Sequence, residues 1–235
     1  MSFKFKQFEI NQDKTAMKVG TDGVLLGAWA TVDWNPYSVL DIGTGTGLIA
    51  LQLAQRSEAE LIDAIEIDTN AYEQAVDNFE NSIWNDRLFC YHASLNEFVD
   101  EIEEKYDLII SNPPFYTENY LSTDESRNKA RFSSALPFEE LITSVAKLLS
   151  DNGQFSVIIP FKEKEDFIKI AKTNALFPTR ICNVKGNKSS SFKRSLIEFS
   201  FLEKEYLETT LIIEIERHQY TDVYIDLVQD FYLKM

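Results

Sequence analysis

Short β-branched and aliphatic runs alternate along the chain with longer amphipathic stretches. Runs at 38–42, 61–67, 88–92, 106–110, 155–159, 179–184, 195–202 and 211–216 read as strands, several apolar throughout as in a sheet covered on both faces. Stretches at 22–30, 48–56, 69–81, 138–149, 162–173 and 221–232 carry apolar residues at helical spacing. Thr21 or Asp22 can cap the first of these, Thr69 the third and Thr221 the last. Asp151-Asn152-Gly153 reads as the stop signal after 138–149. At the start, Phe3, Phe5, Phe8 and Ile10 interleave with Lys4, Lys6 and Glu9, the pattern of a half-exposed strand or hairpin. Strands alternating with helices predict βαβ units and a doubly wound, mostly parallel sheet. The link between 179–184 and 195–202 is too short for a crossover helix, so that pair is expected to run antiparallel. With no repeat or linker in sight, 1–235 reads as one domain. Residues 1–30 form an N-terminal strand and cap segment, and 203–235 a C-terminal strand and helix extension.

Composition changes this picture little. A chain of 235 residues, 44% hydrophobic, suits one large α/β domain. Two Cys give no disulfide framework, and Cys90 and Cys182 fall in strands as buried thiols. Two His and no Cys-x-x-Cys leave no metal site to expect. No signal-peptide core and no run of about 18 apolar residues is visible, so a cytoplasmic protein without a membrane span is expected.

Charge changes it more. The net charge of −15 argues at first against a nucleic-acid partner. Its distribution reverses that inference. Residues 57–107 hold fifteen acids and two bases, whereas residues 167–197 hold seven bases and no acid. One part of the surface can therefore meet an anion while the rest repels it.

Two motifs carry chemistry. Asp41-Ile42-Gly43-Thr44-Gly45-Thr46-Gly47 follows a strand and opens a helix, so its glycines permit a tight turn and close backbone approach to a ligand. Glu66, at the end of the next strand, can accept hydrogen bonds from both hydroxyls of a ribose. The spacing is Gly-x-Gly-x-Gly rather than the dinucleotide pattern, and Asp41 before it is a poor neighbour for pyrophosphate. A carboxylate there suits a cationic nucleoside such as S-adenosylmethionine. The second motif is Asn112-Pro113-Pro114-Phe115, directly after the strand at 106–110 and beside the crevice at the strands' carboxyl ends. The Asn112 side-chain oxygen and the Pro113 carbonyl can each accept one N–H of a planar amine, drawing its nitrogen toward tetrahedral geometry, while Phe115 stacks on the ring.

These motifs resemble those of class I methyltransferases of the Asn-Pro-Pro-(Phe/Tyr) type, which modify exocyclic or amide nitrogens. Phe5-Lys6-Gln7-Phe8 and the run from Met17 to Trp29 resemble, further, the N-terminal signature of the bacterial tRNA (adenine-N(6))-methyltransferases of valine tRNA. The resemblance implies a Rossmann-like, mostly parallel seven-stranded sheet with an antiparallel C-terminal strand. It implies S-adenosylmethionine as donor and methylation of the adenine 3′ of the anticodon. It also implies that the segment from Lys18 to Gly23, with Thr21 and Asp22, covers the cofactor and the base pocket. Where many class I methyltransferases place an Asp near the cofactor's adenine, this chain has Ser94, with Asn96 nearby as the alternative contact.

For RNA, the expected phosphate anchors are Lys185, Lys188, Lys193 and Arg194, joined by Lys18 and by Arg127, Lys129 and Arg131 just after the catalytic turn. Lys4, Lys6 and Lys14 can widen this footprint, and Phe132 and Phe192 can stack on bases. Two other functions compete: methylation of a protein glutamine, whose amide is equally planar, and a catalytically idle cofactor-binding module. The basic window and the N-terminal signature favour RNA, and the complete Asn112–Phe115 turn favours catalysis.

Overall fold

In the computed structural model of the protein, residues 2–15, 17–114 and 136–235 are described. A hairpin of β1 (Ser2–Lys4) and β2 (Glu9–Asn11) leads into α1 (Thr21–Trp29). β3 (Ser38–Ile42), α2 (Leu48–Arg56), β4 (Leu61–Glu66), α3 (Thr69–Glu80), β5 (Leu88–His92), α4 (Leu95–Glu101) and β6 (Tyr106–Ser111) follow. Then come α5 (Phe138–Leu148), β7 (Leu149–Pro160), α6 (Lys164–Thr173) and β8 (Phe177–Asn187). β9 (Arg194–Ser200), β10 (Leu207–Glu216), β11 (Gln219–Tyr220) and α7 (Asp222–Val228) complete the chain.

The large sheet has the order β11-β10-β8-β9-β7-β6-β3-β4-β5. β3 to β7 pair parallel, and β9 runs antiparallel between β7 and β8. The expected seven strands are present, but the sheet has nine among the described residues. β10 joins β8 in parallel and β11 folds back on β10, so the C-terminal extension continues the sheet and covers what would be an open edge.

Strand periodicity divides the apolar residues into two cores. On one face, Val39, Ile62, Leu108, Ile110 and Leu196 pack with residues of α1, α2 and α7. On the other, Leu40, Ile65, Ile109, Val157 and Ile197 pack with α4, α5 and α6. The strand order reverses between β3 and β6, which opens a crevice beyond their carboxyl ends, where open α/β sheets bind ligands.

Several local expectations change. The N-cap of α1 is Gly20, which makes no side-chain cap bond, so Thr21 and Asp22 lie in the first turn and cap nothing. Asp68, not Thr69, caps α3 through its side chain and the Ala71 amide. Asp151-Asn152-Gly153 does not end in a turn. β7 begins at Leu149 and runs through it with a register shift against β6. Gly153 allows this, because a β-carbon there would lie 2.9 Å from the Asp107 carbonyl oxygen. Thr221 does cap the last helix, which ends at Val228, short of the expected 232. Cys182 is buried but Cys90 only partly so, and both are free thiols. No helix of the described residues is long and apolar enough to cross a membrane.

Candidate active site

The glycine loop is a built turn rather than a flexible one. Gly43, Gly45 and Gly47 all have positive φ, at 71°, 59° and 80°, where a β-carbon is costly. Gly43 and Thr44 both donate their amides to the Ile65 carbonyl, at 3.0 and 3.1 Å. Glu66 binds the loop from the side: one carboxylate oxygen accepts from the Gly45 amide and the other from the Asp68 amide, each at 2.9 Å. Gly47 has a second constraint, since a β-carbon would meet the Phe79 ring at 2.5 Å. Gly43 and Gly45 have nothing within 4 Å of that position, so their open side faces free space.

Asp41 lies beneath this space. It is 1% exposed, and its Oδ2 accepts from the Thr44 hydroxyl at 2.6 Å. Its Oδ1 is buried without a hydrogen-bond partner. Burial, offset in part by Thr44, pushes its carboxyl up to about 7. Burial also raises Glu66, against the lowering effect of the Asp68 and Gly45 amides. Beside them the Cys90 thiol is pushed up to about 12, first by burial and then by the charges of Glu66 and Asp41. It is no nucleophile near neutral pH.

A buried, incompletely satisfied carboxylate below an open glycine cradle fits a ligand that brings positive charge over Asp41. Exposed Ile67, next after Glu66, offers an apolar surface beside that carboxylate, a position that sequence reasoning did not single out. Its only signal was an apolar residue following the strand's acid. The His92 ring, stacked on Tyr72, lies 3.1 Å from the Ile67 carbonyl.

β6 delivers the second motif. Ser111 is the register partner of Ile42, and its hydroxyl donates to the Ile42 carbonyl at 2.9 Å. Asn112 therefore begins its turn beside Gly43. Asn112 and Pro114 are partly buried and Pro113 is buried; Phe115 lies outside the described residues. α1 closes the third side. A β-carbon on Gly23 would stand 3.0 Å from Leu48 at the start of α2 and 3.9 Å from Asn112 Nδ2. On the same helix, Gly27 leaves room for Gln52, which donates to the Val24 carbonyl at 3.2 Å.

Residues 24–173 match the methyltransferase small domain family, and that span holds both motifs. The chain belongs to this family. The methyltransferase is 62% identical to the tRNA1(Val) (adenine(37)-N6)-methyltransferase of Christiangramia forsetii, over 99% of this chain and 98% of that one. It is 45% identical to the protein of the same name from Bacteroides fragilis, again over 99% and 98%. Among solved structures, a predicted O-methyltransferase from Agrobacterium tumefaciens aligns with a TM-score of 0.67 at 19% identity, covering 89% of this chain and 96% of that one. TYW2 of M. jannaschii, solved in complex with AdoMet, aligns with a TM-score of 0.57 at 15% identity, covering 84% of each chain. These structures share the fold.

The methyltransferase uses several of the expected ligand-binding residues within its own fold. The Ser94 hydroxyl donates to Glu97 Oε2 at 2.7 Å and accepts from the Glu97 amide, forming the capping box of α4. Asn96 donates to Glu140 at 2.9 Å. The Lys18 ammonium is held by the carbonyls of Gln12 and Thr15. Gln12 also accepts from the Val19 amide, while Asn78 of α3 bonds both Asn11 and the Thr46 carbonyl of the glycine loop. Gln12 and Asn78, unremarked in the sequence, thus fix the N-terminal segment to the glycine loop. Lys14 bonds Asp77 at 2.8 Å, and Lys6 donates to the Gln229 carbonyl.

On the basic side, Arg194 donates from Nε to Asp22 at 2.7 Å, joining the start of β9 to α1. Lys185 reaches the Lys188 carbonyl at 3.0 Å and lies 5.4 Å from the Phe192 ring centre. Lys188 and Lys193 are exposed. Arg127, Lys129, Arg131 and Phe132 lie outside the described residues.

Proposed function

We propose that this methyltransferase transfers a methyl group from S-adenosylmethionine to the exocyclic amine of an adenine in tRNA, the adenine 3′ of the anticodon of valine tRNA. The observation that carries the reading is the junction of Asp41, the open glycine cradle and Asn112 around one crevice, in a chain whose full-length relatives bear that name. S-adenosylmethionine supplies an electrophilic methyl group on a sulfonium. Asp41 faces that cation, Glu66 takes the ribose hydroxyls, and Gly43, Thr44, Gly45 and Gly47 shape the seat, with Thr21 and Asp22 in the covering helix. Asn112 and the Pro113 carbonyl accept the two amine N–H groups and aim the nitrogen lone pair at the methyl carbon. Pro114 keeps the turn rigid and Phe115, next in the chain, stacks on the base. The nitrogen–carbon bond forms as the carbon–sulfur bond breaks, and the sulfur leaves with the electron pair. The cationic nitrogen then loses its proton to water, so no strong base is needed. The whole chain acts as one unit, with Lys185, Lys188 and Lys193 facing RNA phosphates and Arg194, paired with Asp22, tying that side to the covering helix.

The test is incorporation of labelled methyl into tRNA lacking the modification, followed by mass analysis of its nucleosides. N6-methyladenosine is expected. Label in a protein but not in tRNA would sink the reading. Asn112→Ala is expected to lower methyl transfer by about 10²–10³-fold, the scale of a lost transition-state hydrogen bond. Donor affinity measured by calorimetry should survive; its collapse would mean that Asn112 serves the cofactor first.

A further inference from the structure

One cavity among the described residues lies apart from the crevice beside Asn112. It is a cleft of about 770 Å³ where the two ends of the chain meet the substrate side of the sheet. Its walls are aromatic: Phe3 from β1, Tyr220 from β11, Tyr224 from α7, and Tyr232 beyond it. Tyr220 and Tyr224 have ring centres 5.2 Å apart, and Phe3 and Tyr232 meet edge-on at 6.1 Å. Tyr224 is buried and supports the wall, whereas Tyr220 and Tyr232 are only partly buried and present ring surface to the cleft.

Two lysines line it, Lys4 and Lys234, both exposed. Lys4 has only a 3.6 Å pair with exposed Glu9, of the kind that contributes little. The acid in the lining, Glu214, accepts from the His218 amide.

The position of the cleft defines its use. Gly20 and Thr21 form part of its wall, one turn of α1 before Gly23, the residue that faces Asn112. Gly186, at the end of β8 between Lys185 and Lys188, forms another part. Through Gly186 and Gly20 the cleft adjoins both the basic loop after β8 and the helix whose Gly23 faces Asn112, so an RNA strand joining the two would run past it. We propose that it is a second base-binding subsite: one unpaired nucleobase near the target stacks on Tyr220 and Tyr232, with Lys4 and Lys234 on its flanking phosphates. Aromatic platforms with cationic rims hold single-stranded bases in this manner, with little preference among them. The subsite rests on the RNA reading above and goes beyond it, because nothing in the chemistry of methyl transfer requires a second base to be held.

The experiment uses the full-length protein and an unmodified anticodon stem-loop carrying 2-aminopurine at a loop position beside the target adenine. Wild type is expected to quench the probe on binding, as a stacked base does. Tyr220→Ala should abolish the quench and weaken RNA binding by about five- to 150-fold, the range for one stacked base. KM for RNA should rise more than kcat falls, and S-adenosylmethionine affinity should stay unchanged. Tyr220→Phe should restore both quench and affinity, because the ring stacks and the hydroxyl does not. Should Tyr220→Ala fold poorly, Lys234→Glu at an exposed position should weaken RNA binding at low salt and not at high salt. Normal RNA affinity and quench in Tyr220→Ala, or loss in Tyr220→Phe equal to that in the alanine variant, would overturn the subsite while leaving the tRNA reading intact. A wild-type protein that neither binds nor methylates the stem-loop would instead remove the RNA reading and the subsite with it.

Discussion

Asp41 carries two opposing demands in one carboxyl group. Its burial favours the neutral acid, yet the proposed ligand is a cation that needs the anion. The sign follows directly. Without ligand, the group is raised from 3.8 to about 7, so the folded protein is favoured while the acid is protonated. That contribution is complete below the unfolded value and is lost as pH rises through about 7. A bound cation lowers the same pKa, so binding releases a proton in this window. Donor affinity should therefore rise with pH up to about 7 and then level off, measured by calorimetry in buffers of different ionisation heat. Asp41→Asn should flatten that profile; an unchanged profile would mean that another group titrates. The placement of Asp41, Glu66 and the three glycines in one strand–turn–helix junction was legible in the sequence because strand, turn and spaced acid are local signals. That Glu66 also braces the Gly45 amide was not, since it joins strands that pair only in the fold.

The elements show where local signals win and where they fail. β3 and β6 were legible to within a residue because apolar runs buried on both faces leave little choice, and the more exposed β5 because its aromatic residues favour a strand. α4 was missed, being a helix of 7 residues too short for a clear period. Its one signal was Ser94 with Glu97 three residues on, the spacing of a capping box. Ser94→Ala should cost about 1 kcal/mol of stability, the value of such a cap, read as a lower urea midpoint at unchanged slope. A loss near zero would mean that solvent replaces the hydroxyl and that the cap is ornamental. Asp151-Asn152-Gly153 failed in the other direction. Turn residues entered a strand as an irregularity: the β6 ladder pairs Leu149 and resumes at Gln154, and the residues between bulge, with Gly153 fitted close to the Asp107 carbonyl. The charge pattern pointed to bases facing a substrate, but sequence does not reveal that Lys18 is held by backbone carbonyls or that Arg194 reaches back to Asp22.

At the scale of the molecule, charge is divided between the two sides of the sheet. The acid-rich residues 57–107 form β4, α3, β5 and α4 with their links, at one edge of the sheet, while the acid-free residues 167–197 include most of β8 and its loop to β9, toward the other. Binding of tRNA to a protein of net charge −15 should consequently depend steeply on salt through a few residues. Lys188→Glu with Lys193→Glu should lower the slope of log affinity against log salt by about 0.7 for each single-strand phosphate that is no longer neutralised. An unchanged slope would move the RNA to another face. A last consequence concerns time. The Phe5 backbone bridges to Tyr232, the Lys6 amide donates to the Phe231 carbonyl, and the Lys6 ammonium reaches Gln229 across 223 positions of sequence. The hairpin that leads into α1 is thus anchored on residues far along the chain. The glycine loop closes between neighbouring segments, whereas the hairpin is held only once residues 229–232 have been brought back to it across most of the chain, a non-local closure that comes late in folding.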